Sequence, residues 1–511
     1  MSAQKAQQYD VAVIGAGNAA MAAAMAAHEE GANVVILEKA PKEWRGGNTR
    51  FSGGLFRVAF DDIAQIDKVV AGRSKTDTVV MPNYTKEDFR NDVIRVTGGR
   101  TDLELVDFMI DHSLETMQWM SDLGVQINYN TLSALSKDEK GRFRVPKGGP
   151  LRTNHDGIGL SDDWFDIVEK AGIPVLYETM ALELVKSDDG RTTGVRVRDN
   201  NGERIIDCKT TVVASGGFSS SPEMRAMYLG PEWANVKVRG TRFNTGEIIR
   251  ATLDAGAEAY GDWSSCHATP IDFEAPQYGD MALTDKSNRL SYPFSMMVNC
   301  EGVRFVDEGE DIKILTYAKT GRAILKQTNS IGYQIFDSKV IEYLEPRYST
   351  ATPVEADTLE ELADKINERF APVMLDKKRF LQTAEEFNAA IPEKVDITPD
   401  KKDGNSSKGM DLEKTNWAQR LDAPPYRCYA ATCGLTFTFG GVRVNTEAEV
   451  VDINGRRLEG LYATGEVLGG FFSFNYPAGT GLVRGAVYGR VAGRNAAQYA
   501  KSNVAGANAV G

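Results

Sequence analysis

The stretch "YDVAVIGAGNAAMAAAMAAHEEGANVVILEKA", residues 9 to 40, limits the possible folds more than any other part of the chain. The apolar run Val11–Ile14 enters Gly15-x-Gly17-x-x-Ala20, an alanine-rich segment follows, and a second apolar run ends in Glu38. This reads as strand, glycine turn, helix, strand. Each residue has a mechanical reason: Gly15 allows the tight turn, Gly17 lets backbone approach a pyrophosphate, and Ala20 lets helix and strand pack closely. The helix N-terminus stabilises phosphate charge, and Glu38 is placed to accept bonds from a ribose hydroxyl pair. The segment predicts an α/β, Rossmann-like dinucleotide-binding unit.

Later segments decide which dinucleotide. "WRGGNTRFSGGL" follows the second strand, and its glycine pairs let backbone run against a flat ring system. "ALELVKSDDGRTTGVRVRDNNGERIIDCKTTVVASGGF" alternates like a small β-meander with turns at "DDG" and "NNG". "RLEGLYATGEVLGG" supplies a late strand ending in Gly465-Glu466, and "FNYPAGTGLVRGAVYGR" a glycine turn opening a helix. This layout resembles the glutathione-reductase-type FAD fold, which favours FAD over NAD. The expected cofactor contacts come from these segments. They are Gly15, Gly17, Asn18, Ala19, Ala20, Glu38 and Lys39, then Arg45, Gly46, Gly47, Asn48, Ser52, Gly53 and Gly54. Ala181, Ala214, Ser215, Gly216 and Gly217 follow, with Gly465, Glu466, Gly479, Thr480, Gly481 and Leu482 near the end.

With 511 residues the chain is long enough for two or three domains. A net charge of −12 argues against nucleic acid or an anionic membrane as partner, and no apolar run approaches the ~20 residues of a membrane span. The polar start "MSAQKAQQYD" does not read as a signal peptide. Five scattered cysteines lack any CxxC spacing, which argues against iron–sulfur or c-type haem sites and fits a reducing cytoplasm. Four histidines (His28, His112, His155, His267) make a multi-histidine metal site implausible, so no metal is expected.

"GAGNAA" with Glu38, "GGNT" with "SGG", "VVASGGF" and "LYATGEVLGG" together resemble the fumarate reductase and succinate dehydrogenase flavoproteins. Between them, "CHATP" and "NCEGVRFVDEGED" resemble that family's His-Pro-Thr and Gly-x-Arg-Phe-x-Asn-Glu segments. "WRGGN", "RGTRFN", "FVDEGED" and "LTFTFGG" resemble the tricarballylate dehydrogenase-like branch. The resemblance implies an FAD-binding domain split over 1–265 and 433–511, with an inserted α+β capping domain at 266–432. It also implies non-covalent FAD, because "GGNTRF" holds no histidine where respiratory members attach the flavin.

The departures from the family shape the expected chemistry. The family's arginine proton donor, counted four residues after Glu308, falls on Ile312; its second histidine falls on Thr436; its late arginine falls on Tyr476. His267 and Thr269 are kept, and Arg304 with Glu308 reads as a structural ion pair. "YPAGTG" resembles the Tyr-Pro-glycine segment of 3-ketosteroid dehydrogenases, where the tyrosine polarises a ketone. In dehydrogenation beside a carbonyl, negative charge develops on the oxygen, and a tyrosine hydroxyl and helix-start N–H groups suit it. Tyr476, His267, Tyr317 and Thr436 are the expected catalytic residues, with Tyr317 a candidate α-proton base. His267, Thr269, Arg152, Thr436 and Gly479 are the expected substrate contacts. Phe471, Phe472 and Phe474 either wall an apolar pocket or belong to the core.

These features point to a desaturase of a small carboxylic acid or cyclic keto acid, such as tricarballylate or 4-oxocyclohexanecarboxylate. An enoate reductase running in reverse, or an electron-transfer subunit of a complex, stays open beside it. The electron acceptor is oxygen, a quinone or a partner protein.

Overall fold

In a computed structural model the chain is described over residues 8–70, 78–134 and 136–507. The first strand, β1 (Tyr9–Ile14), is buried along nearly all its length and pairs in parallel with β2 (Val34–Leu37) on one side and with Gly202–Val213 on the other. Strands covered on both faces read as continuous apolar runs, as Val11–Ile14 and Val34–Leu37 do. The sheet continues to Val175–Leu176 beyond β2, and to Arg457–Ala463 and Glu449–Val451 beyond Gly202–Val213. Strand Gly202–Val213 also closes the antiparallel meander of Met180–Lys186 and Thr192–Asp199, as the alternation in the sequence predicts.

Between β1 and β2 runs the first helix, α1 (Asn18–Glu29), whose alanines are almost wholly buried. Small side chains serve a close approach here. The final helix, Thr480–Ala507, lies against α1 so tightly that a Cβ at Gly493 would meet the Ala23 carbonyl oxygen at 2.0 Å. One at Gly489 would meet that of Ala19 at 2.6 Å.

The second sheet is built around the 13-residue strand Tyr426–Thr438, which pairs with Lys237–Val238, Cys266–Asp272, Ile331–Phe336 and Val354–Ala356. The boundary expected at 432/433 therefore falls inside one uninterrupted strand. Opposite Cys266–Asp272 the register shifts: His267 faces Phe437 while Ala268 faces Leu435. Thr436 is the extra residue of this bulge, a device that re-aims a side chain. The bulge sets Thr436 beside His267. Among the described residues no helix is long and apolar enough to cross a membrane.

Candidate active site

A single cavity of about 610 Å³ runs from the turn after β1 to the bulge, within the ~300–1,000 Å³ of small-molecule sites. At one end the first turn of α1 opens into it. Gly17 is the N-cap; the Asn18 N–H is donated to Thr49 Oγ1 at 2.9 Å, and the next N–H groups of the first turn are left for an anion. Gly15 has φ +107°, and a Cβ there would meet the Ala214 carbonyl oxygen at 2.5 Å, so only glycine fits the turn. Glu38 ends β2 with its carboxylate buried; burial raises its pKa, and the Ala40 N–H is donated to it at 2.7 Å. The Ala16 and Lys39 amides also stabilise the carboxylate, and a ribose diol brings two further donors. Asn244 Oδ1, buried in the same wall, has no partner among the described residues. The Asn244 amide nitrogen donates to Glu466, which also accepts from Asn48 and the Thr438 N–H. A helix start open to phosphate, a buried carboxylate suited to a diol and a free amide acceptor beyond are features that an adenine dinucleotide requires.

Most residues expected at the cofactor line this cavity: Gly15, Gly17, Asn18, Ala19, Glu38, Lys39, Gly47, Asn48, Ser52, Gly53, Ala181, Ala214, Ser215, Gly216, Gly465, Glu466, Gly479, Gly481 and Leu482. Six others stand behind it. Ala20 is packed into the core, Arg45 lies over the Phe165 ring at 4.2 Å, and the Thr480 hydroxyl donates to the Pro477 carbonyl. Gly46, Gly54 and Gly217 back against Ser161, Thr153 and Glu466, respectively.

The other end of the cavity is aromatic. The His267 ring stacks on Phe437 at 4.9 Å, with the edges of Tyr317 and Tyr476 at 4.8 and 4.9 Å. Thr436 Oγ1 reaches both His267 Nδ1 and, at 3.1 Å, the His267 carbonyl oxygen. With its one proton on the carbonyl, the hydroxyl accepts from Nδ1–H, which leaves Nε2 with a lone pair. Nε2 is buried and unpartnered, and burial together with Arg239 holds the imidazole well below its usual pKa. Burial likewise pushes Tyr317 well above the usual phenol range.

Tyr476 departs instructively from expectation. The Gly479 and Gly481 N–H groups, at the start of the final helix, both donate to its hydroxyl oxygen, at 2.9 and 3.2 Å. These amides are therefore spent on the tyrosine and are not free donors. Both phenol lone pairs are engaged, and the phenol proton has no acceptor among the described residues. Burial raises its pKa, against the pull of the two amides, Arg57 and Arg484.

Thr269 does not reach the cavity, because its hydroxyl is bonded to Asn288, which lines the wall in its place. Arg152 lines the wall but is paired with Asp156. Ile312 caps the helix Lys313–Leu325 and packs on an apolar cluster, and Arg304 forms its buried pair with Glu308 at 2.5 Å. Phe471 and Phe472 are core, whereas Phe474 is 41% exposed beside Arg100 and Arg322.

Sequence reasoning missed a charged network on the cavity wall. Arg239 donates to Asp285 at 3.0 Å, Arg347 pairs with Asp285 and Glu345, and Lys313 pairs with Glu345. Against the burial that would raise it, Lys313 and Arg347 pull the Glu345 carboxyl down to about 2. Three cations face two carboxylates. Thr436 and Tyr476 are neutral hydroxyls, and the cations of this cavity come from other segments, at Arg239, Lys313 and Arg347.

The family described as FAD binding domain matches residues 10–482. A probable fumarate reductase, Ifc3, of Shewanella frigidimarina (strain NCIMB 400) is 27% identical over 98% of this chain and 76% of its own length. A 4-oxocyclohexanecarboxylate 2-dehydrogenase of Sinomonas cyclohexanicum is 26% identical over 96% of this chain and 93% of its own. The crystal structure of a 3-ketosteroid-delta4-(5alpha)-dehydrogenase from Rhodococcus jostii RHA1 shares the fold with a TM-score of 0.68, at 21% identity, over 97% of this chain and 98% of that one. With the cavity's phosphate, ribose and polar subsites in view, the chain belongs to the FAD binding domain family of fumarate-reductase-like flavoproteins and is an FAD-dependent oxidoreductase.

Proposed function

We propose that the protein is a dehydrogenase that introduces a C=C bond beside the carbonyl of a small carboxylic acid or cyclic keto acid. The observation that carries this reading is the Tyr476 hydroxyl, which accepts two helix-start amides and has only its proton left to give to the cavity. Such a donor is matched to the oxygen of a carbonyl on its way to an enolate. FAD, when bound, supplies the two-electron acceptor for the hydride that leaves the neighbouring carbon. His267 Nε2 receives the α-proton, since it is neutral and unpartnered, whereas Tyr317 remains a protonated phenol. Arg239, Arg347 and Lys313 carry one positive charge more than Asp285 and Glu345 balance, and a substrate carboxylate completes the set. A 4-oxocyclohexanecarboxylate-like substrate offers both groups, in keeping with the named relative. The second sheet serves as the cap over a Rossmann-like, glutathione-reductase-type FAD domain.

Lys313 and Arg347 also favour a second reading, in which a cation donates a proton to an unsaturated acid and the enzyme is an enoate reductase. Anaerobic mixing with a panel of saturated keto acids and carboxylates separates the two. Rapid flavin bleaching by a member of the panel supports the dehydrogenase. Dye-driven reduction of fumarate as fast as the best dehydrogenation removes it.

The bleaching rate is expected to be flat from pH 6.5 to about 8.5, because His267 stays neutral over that whole range. A rise of about tenfold per pH unit would instead assign the base to the Tyr317 phenolate.

The FAD is held without a covalent bond. His267 is the one histidine lining the cavity among the described residues, and it stands at the aromatic end, against Phe437, Tyr317 and Tyr476. Heat or acid should release all the yellow colour as intact FAD into the supernatant. Flavin retained in the protein pellet contradicts this.

A further inference from the structure

Behind the Tyr476 turn lies a cation that the mechanism has not used. Arg57 follows the strand Leu55–Phe56, is 1% exposed and does not line the cavity. Its Nε donates to the Ala478 carbonyl at 2.9 Å, and its own backbone N–H donates to the Gly479 carbonyl at 3.2 Å. Tyr84 and Asp92 fix the guanidinium from behind: Nη1 donates to the Tyr84 hydroxyl at 3.1 Å, which in turn donates to Asp92 at 2.7 Å. Nη1 stands 3.7 Å from Asp92 itself, and Nη2 has no partner among the described residues. A buried guanidinium so incompletely bonded costs stability.

What it touches is informative. The Ala478 carbonyl and the Gly479 N–H belong to one peptide group, and in a trans peptide they point in opposite directions. One end accepts from Arg57; the other donates to the Tyr476 hydroxyl. Charge at the carbonyl draws electron density along the amide and strengthens the N–H as a donor. The phenol that accepts it then becomes a better donor in its turn.

We propose that Arg57 is a positioning residue for Tyr476, acting through the single peptide group 478–479, which it both fixes and polarises. Arg57, amide, phenol and substrate carbonyl form a line in which each hydrogen bond strengthens the next. The last link rests on the function proposed above; the first two do not depend on it.

Two measurements test this in the flavin-loaded protein. The first is a double-mutant cycle with 4-oxocyclohexanecarboxylate and an artificial electron acceptor. Arg57→Met is expected to lower kcat about five- to tenfold, the worth of one hydrogen bond, with little change in KM. Arg57→Lys, which keeps a cation near Ala478, should recover part of the loss. In a Tyr476→Phe background Arg57→Met should have no further effect, because no hydroxyl remains to be polarised. An equal loss with and without the hydroxyl would show that Arg57 only supports the fold, and would overturn the proposal.

The second measurement needs no turnover, so it still decides if no keto acid proves to be a substrate. With 3-fluorotyrosine at position 476, the ¹⁹F resonance reports phenol ionisation directly. Its titration midpoint should rise by about one pH unit in Arg57→Met, a tenfold loss of acidity. Arg57→Lys should give a smaller rise and serves as the reading if the Met variant does not accumulate. An unmoved midpoint in the variants refutes the line from Arg57 to Tyr476.

Discussion

Tyr476→Phe is expected to lower turnover by about two orders of magnitude and to leave the flavin spectrum as it was. The ring contacts with His267, Phe437 and Phe472 need no hydroxyl, so the packing of the pocket survives. What disappears is the one proton aimed at the substrate carbonyl. Loss of a single oxyanion donor costs ~3 kcal/mol of transition-state stabilisation, and because the interaction strengthens as charge develops, kcat falls more than KM rises. The Gly479 and Gly481 amides also lose their acceptor, at about 1–3 kcal/mol for each buried N–H left unpaired. A lower melting temperature should therefore accompany the slow turnover. Unchanged turnover on a substrate that bleaches the wild-type flavin would reduce Tyr476 to packing and leave carbonyl activation without a donor.

Gly17→Glu is expected to yield folded, colourless protein. The backbone at this N-cap is extended, with φ −87° and ψ 178°, which any residue adopts. A Cβ would meet Thr49 Oγ1 at 3.2 Å and the Gly46 carbonyl oxygen at 3.7 Å, so the strain of the substitution is small. The rest of the side chain has to enter the space in front of α1 and bring a carboxylate to the helix end that would otherwise hold phosphate. Two unit charges about 4 Å apart at an effective dielectric near 20 repel by ~4 kcal/mol, or about a thousandfold in affinity. Wild-type circular dichroism with flavin absorbance near zero is the outcome to look for. Full flavin content in this variant would take the turn after β1 out of the binding site.

The residues of this site were unevenly legible before folding. Gly15, Gly17 and Glu38 could be read because strand, turn and helix are consecutive, so their spacing alone places them around one phosphate and one ribose. Tyr476 could be read for the same reason: "YPAGTG" and the helix after it are one local unit. Arg239, Asp285 and Arg347 could not. Asp285 and Arg347 sit in short 3₁₀ turns and Arg239 just beyond a two-residue strand, places with no periodicity to reveal which way a side chain faces. They meet only because the strand Tyr426–Thr438 gathers distant segments beside the cavity. That same strand hid the domain limit, since it runs straight through position 433. Thr269 followed from resemblance to the His-Pro-Thr segment, which carries no information about Asn288 standing in front of it.

The close contact between the first and last helices has a consequence for how the protein comes into being. The Asn18 side chain, at the start of α1, donates to the Leu482 carbonyl, and Gly489 and Gly493 seat the final helix on Ala19 and Ala23. The turn bearing Tyr476 is thereby hung from the very helix whose first turn faces the phosphates. During synthesis Asn18 is made 464 residues before Leu482, so the nascent chain carries an incomplete pocket until the bracing helix emerges. Cleavage anywhere between residues 480 and 493 would have the same effect on the mature protein, severing the catalytic turn from its anchor. Flavin retention and turnover should be lost together in such a nicked chain, because one joint between the two ends of the polypeptide holds both.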